Sequence, residues 1–212
     1  MKSLSIICAL AFGLAFAAAA PAASARPAAA TSAPAAPQLQ AAMRSLWHGH
    51  IVATRDYALA VHAGNKAGAN KAADAVVANA KQIANAVAGF YGNAAGDGLL
   101  KLLAGHWGGV KALTDAQKKN DAAGVTKAMN DLAANADAIA KFLSGANPNL
   151  PESAVKDLLV THAGHHQMLT DEIMKGDKAA ADKTWTAMQA HMNTIADALS
   201  DGIAKQFPAK AA

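Results

Sequence analysis

Cysteine is almost absent from this chain: Cys8 is the only one, and it lies inside an apolar N-terminal run. A product freed of that run has no disulfide, no thiolate metal site and no cysteine nucleophile. Aromatic residues make up 5% of the chain and charged ones 16%, and the basic residues are scattered. That pattern leaves no footprint for a nucleic acid. Past the N-terminus no apolar segment approaches the ~20 residues that a membrane span needs. Nothing in the chain reads as a strand.

What is present begins with a leader. Lys2 precedes an apolar run from Leu4 to Ala20, and small residues follow up to Ala23-Ser24-Ala25. A charged start, an apolar centre and an A-x-A end predict a signal peptide over residues 1–25 and a periplasmic or secreted product. Cys8 sits too early in the apolar run for lipidation. Cleavage removes Lys2 and no acid, so the net charge falls from +4 to +3. Residues 26–37, RPAAATSAPAAP, have little to bury and read as a disordered linker. The composition then turns to Ala, Leu, Lys, Asn and Asp, which predicts one domain over residues 38–208 and a short tail at 209–212.

The domain repeats itself. Leu46-Trp47-His48-Gly49-His50, Leu102-Leu103-Ala104-Gly105-His106 and Leu158-Leu159-Val160-Thr161-His162 align at a shift of 56 residues (106 minus 50, 162 minus 106). The same ungapped shift aligns Gly64-Asn65, Asn120-Asp121 and Gly176-Asp177, and then Lys71, Lys127 and Lys183. Asn79-Ala80 to Ala84, Asn135-Ala136 to Ala140 and His191-Met192 to Ala196 complete the match. Each copy has helical spacing, as in Val76, Ala80, Ile83, Val87 and Phe90, with turn chemistry at its centre. The fold class is therefore all-α: six antiparallel helices built from three 56-residue helical-hairpin repeats, as a bundle or a short solenoid. Between the second and third copies, Asn149 is the expected N-cap and Pro151 the expected first turn of a new helix.

The repeat puts six polar residues at one height: His50, Asn79, His106, Asn135, His162 and His191. One interpretation is structural. Histidines packed among aliphatic residues need partners for their ring nitrogens, and a facing asparagine supplies one. Two His-Asn pairs and one His-His pair would then fix the register of the helices. The other interpretation is a metal site. Imidazoles at one level suit a transition metal, copper, zinc or nickel. The third copy favours this, since it holds His191 in the Asn79 and Asn135 position. It also adds His166 one turn beyond His162, where the other copies have Thr54 and Val110. The candidate ligands are His50, His106, His162, His166 and His191, with Asn79 and Asn135 completing the polar layer. Met188 and Met192 flank His191 and could add soft thioethers, although Met188 aligns with Val76 and Leu132 as core. No His-Glu pair at i, i+4 accompanies the histidines, which speaks against a di-iron centre. His48, His62 and His165 have no counterparts in the other copies and are expected at the surface.

His50 to Thr54-Arg55, Tyr91-Gly92, His106, the Asn135 segment and Asn147-Pro148-Asn149 together resemble a family of small bacterial all-helical proteins. His162, His191-Met192 and the closing Asp197, Gly202-Ile203 and Gln206-Phe207-Pro208 belong to the same pattern. The resemblance spans nearly the whole domain and implies a shared fold without an established activity. Some members carry the label glycosyltransferase, yet this chain has no nucleotide-binding loop, no acidic metal motif and no α/β pattern. It differs in its leader, its alanine-rich helices and Leu150, where the pattern carries a tryptophan. No nucleophile or oxyanion donor is placed beside a histidine, so a non-catalytic protein is expected. Two functions follow: an exported protein binding a transition metal through the histidine layer, or a structural or protein-interaction module without a cofactor.

Overall fold

The computed structural model describes residues 36–211, so the expected leader and nearly all of the expected linker lie outside the described residues. Six long helices follow one another: α1 (Pro37–His62), α2 (Lys66–Tyr91), α3 (Asn93–Lys118), α4 (Ala122–Ala146), α5 (Glu152–Lys175) and α6 (Lys178–Gln206). A seventh, α7 (Pro208–Ala211), occupies most of the expected tail, and Ala211 is buried against Ala36 and Ala204. No strand occurs among the described residues.

Local chemistry sets the boundaries. Asn65 caps α2 through Oδ1, which accepts from the Gly68 amide at 2.9 Å. Asp121 caps α4 on Gly124 at 2.9 Å, and Asp177 caps α6 on Ala180 at 3.0 Å. Each bond satisfies a donor that the first helical turn leaves unpaired, worth about 1 kcal/mol. The residue before each cap has positive φ: Gly64 (68°), Asn120 (55°) and Gly176 (72°). Asparagine and glycine are the residues that visit this region at least cost. The turn between α4 and α5 departs from expectation. Asn149 is not a helix cap; its amide and its side chain both donate to Asn147 Oδ1, at 2.8 and 3.1 Å. Pro151 stands one position before α5, where its carbonyl accepts the first helical bond from Val155.

The helices form a closed bundle, because α6 packs back on α1 while every consecutive pair also packs. Arg44 on α1 and Asp197 on α6 join across this closure by two bonds of 2.7 and 2.6 Å. The contacts of α1, α3 and α5 with one another place those three at the centre. Ile51, Ile83, Leu113, Leu132 and Met188 are fully buried in the core.

One end of the bundle is tied by residues of the resemblance pattern. Asn147, fully buried, donates to the Tyr91 hydroxyl at 2.8 Å, and that hydroxyl donates to Gln206 Oε1 at 2.9 Å. Gln206 in turn donates to the Ala146 carbonyl at 3.1 Å. Phe207 stands edge-on to Tyr91 at 5.0 Å. Gly202 is needed here, since a Cβ would lie 2.6 Å from Leu150 Cδ2. These motif residues close the bundle and take no part in the histidine cluster described below.

Candidate metal centre

The three central helices decide which histidines meet. His50 comes from α1, His106 from α3 and His162 from α5, with His166 one turn further along α5. All four are buried, none more than 8% exposed. Each offers a ring nitrogen, and these nitrogens all lie within 4.8 Å of one another. Ring centroids of His50, His106 and His162 are 5.6 to 5.8 Å apart. His162 Nε2 and His166 Nε2 are 3.0 Å apart, so one carries the proton and the other accepts it.

Several ring nitrogens lack a partner. His50 Nε2, His106 Nε2 and His162 Nδ1 are buried without one. Each such group costs about 1–3 kcal/mol when left unpaired, so the cluster is short of hydrogen-bond chemistry and rich in lone pairs or N–H groups aimed inward. Burial pushes the His50 imidazole down to about 3, with His106 adding to the shift. Burial alone takes His106 down to about 4. His162 and His166 are held well below the usual range, first by burial and then by the neighbouring rings. All four are therefore neutral near pH 7, which is the form that ligates metal. A tetrahedral ion with bonds of about 2.0–2.1 Å would space its ligand atoms about 3.3 Å apart. The four offered nitrogens fall within 4.8 Å of one another, and His162 Nε2 and His166 Nε2 stand 3.0 Å apart.

His191 does not join them. Its Nε2 donates to the Leu158 carbonyl at 2.9 Å. Asn79 donates to Leu46 at 2.9 Å and Asn135 donates to Leu102 at 3.0 Å, and in all three bonds donor and acceptor are 33 residues apart. The expected His50–Asn79, His106–Asn135 and His162–His191 pairs are thus replaced by side-chain bonds to the backbone. Each acceptor lies one turn before a central histidine, so the polar residues of α2, α4 and α6 grip the helix and not the ring. Glycine makes room for the shorter amides: a Cβ at Gly49 or Gly105 would meet the Asn79 or Asn135 amide nitrogen at 3.0 Å. The third such position is Thr161, opposite the longer His191.

The other expectations divide. His48 and His62 are exposed, whereas His165 is half-buried with its ring 5.2 Å from that of His191. Thr54 and Val110, which occupy the His166 position of α1 and α3, are both buried. Arg55 lies over the Trp185 ring at 4.7 Å and pairs with Asp182 at 3.6 Å. Met188 is fully buried core, and Met192 lines an apolar cavity of about 50 Å³ that His106 and His162 also border.

Sequence reasoning missed Trp47, which is buried, edge-on to His50 at 6.0 Å, and has no partner for Nε1. Trp47, Leu103 and Leu159 all line the cavity, each three residues before a central histidine. That spacing was the available signal. Among the described residues no helix is long and apolar enough to cross a membrane. Comparison with protein-family models, curated proteins and solved structures gave no match.

Proposed function

We propose that this is an exported, non-catalytic protein that binds one transition-metal ion through His50, His106, His162 and His166. The observation that carries this reading is the meeting of four buried histidines whose ligand atoms lie within 4.8 Å of one another. Burial keeps the rings neutral, and the unpartnered nitrogens are groups that an ion would satisfy. Copper, zinc and nickel all accept imidazole.

The reading includes a threefold architecture of 56-residue helical hairpins. It is supported by three caps, three positive-φ residues and three side-chain-to-carbonyl bonds that recur in the same register. On this view the ancestral hairpin contributes one central histidine per copy, and His166 is an addition peculiar to the third. The resemblance to small bacterial all-helical proteins belongs to the same proposal, with the shared pattern serving the fold.

A second reading, a structural or interaction module without a cofactor, draws on the His162–His166 bond, which pairs two ring nitrogens without an ion. Metal analysis of the untagged chain freed of its leader separates the two. One zinc, copper or nickel per chain, lost in His162→Ala, supports the site. A chain that cannot be loaded, and whose variant differs only in stability, supports the module.

A further inference from the structure

A bound ion in this cluster would keep its whole charge. The four histidines are the only His, Cys, Asp or Glu group of ligating geometry among the described residues, so no carboxylate joins them. Several acids of these helices bond to other groups: Asp115 to Lys111, Glu172 through one oxygen to the Thr184 hydroxyl, Asp171 to Lys175, and Asp182 to Lys178 and Arg55.

Water is no better placed to supply an anion. The adjoining cavity, about 50 Å³, is walled by Leu103, Leu159, Met192 and Ile195 beside His106 and His162. One water needs about 10–15 Å³ together with two to four polar partners. The volume suffices, but the lining is almost wholly apolar and offers a water few partners. A zinc site with three imidazoles commonly keeps an open position for a water that can ionise and offset the ion's charge. Here a fourth imidazole takes that position.

The consequence follows from electrostatics. The cost of holding net charge in a medium of low dielectric constant grows with the square of that charge, and four neutral imidazoles donate to the ion without cancelling it. Zn(II) and Cu(I) are both closed-shell ions without a ligand-field preference for geometry, so between them the deciding difference is charge. Cu(II) and Ni(II) carry the same double charge as zinc and also favour tetragonal arrangements.

We infer that the ion selected by His50, His106, His162 and His166 is monovalent copper, held by four neutral imidazoles in an apolar core. This inference rests on the metal-binding reading above and narrows it to one ion and one oxidation state. It also implies that burial raises the reduction potential of the bound copper.

The test is an anaerobic competition. The untagged chain without its leader is refolded with Cu(I), Cu(II) or Zn(II), each against a chromophoric chelator of known affinity. Refolding lets the ion enter before the core closes. The expected result is one Cu(I) per chain that a hundredfold excess of Zn(II) does not displace. Binding should fall at least a hundredfold in His50→Leu and His166→Leu, substitutions that retain apolar bulk; circular dichroism checks that both variants fold. Cu(I) should also bind at least a thousandfold more favourably than Cu(II), relative to the aqueous couple. At 59 mV per tenfold for one electron, that is a potential raised by about 180 mV. Zn(II) or Cu(II) binding as tightly as Cu(I), or displacing it, would overturn this inference and leave metal binding intact. Failure to retain any of these three ions, or Ni(II) in a parallel refolding, would overturn both.

Discussion

Acid should unfold the metal-free bundle earlier and more steeply than its carboxylates alone would dictate. In the unfolded chain each histidine titrates near 6.5, whereas in the folded chain His50 is pushed down to about 3 and His106 to about 4. Between those values the unfolded state binds protons that the folded state refuses. Stability from these groups is therefore fully present above about pH 6.5 and is lost as pH falls toward 4 and 3. From about pH 7 to about pH 5 each such histidine removes about 2 kcal/mol. His50 and His106 together remove about 4 kcal/mol on this basis. His162 and His166 shift in the same direction and add to this loss. Even about 4 kcal/mol is a large share of a whole domain's stability of about 5–15 kcal/mol. Carboxylates contribute little over this window, since they ordinarily titrate near 4.

The assay is urea unfolding of chelator-treated protein near pH 7, 6 and 5, read by circular dichroism. His50→Leu replaces one titrating ring with apolar bulk and should reduce the pH-dependent loss by about 2 kcal/mol. A total loss below about 1 kcal/mol between pH 7 and 5 would refute the reasoning. So would an unchanged loss in the variant. Either result would mean that the rings are protonated within the folded bundle.

Four further outcomes follow from the same contacts. Saturating metal at about a thousand times its Kd should add about 4 kcal/mol, a rise in Tm of roughly 8–16 °C for a domain of this size, read by calorimetry. His191→Ala should leave metal stoichiometry unchanged while costing about 1–2 kcal/mol in chemical denaturation, because its ring donates to Leu158 and not to an ion. Gly49→Ala should destabilise by about 1–2 kcal/mol in thermal melts, since the added Cβ would press on the Asn79 amide that holds Leu46. Tyr91→Phe should cost about 1–3 kcal/mol by urea titration, leaving the fully buried Asn147 amide without its acceptor.

Part of the site was legible in the 56-residue spacing of the chain: His50, His106 and His162 were matched from it, with His166 one turn beyond, and all four meet. Spacing along the chain does not give azimuth. Whether a level residue faces the centre or a groove depends on which helices are inside, and that is set by the packing of α1, α3 and α5 on one another. Asn79 and Asn135 donate to the backbone of α1 and α3 one turn before His50 and His106, and not to the rings. The same column contained the answer for His191, whose position pointed to the asparagine role while its residue type pointed to a ligand. Closure was beyond local pattern for a related reason, since Arg44 and Asp197 are 153 residues apart in the chain. The Tyr91, Asn147 and Gln206 clamp likewise joins three separate motifs whose meeting point only tertiary packing defines.

X-ray absorption on the metal-loaded, untagged chain tests the central claim most directly. The account predicts one ion surrounded by about four imidazole nitrogens at about 2.0–2.1 Å, with that shell depleted in His166→Leu. An ion bound mainly through oxygen ligands, an unchanged shell in the variant, or a chain that retains no ion would contradict it.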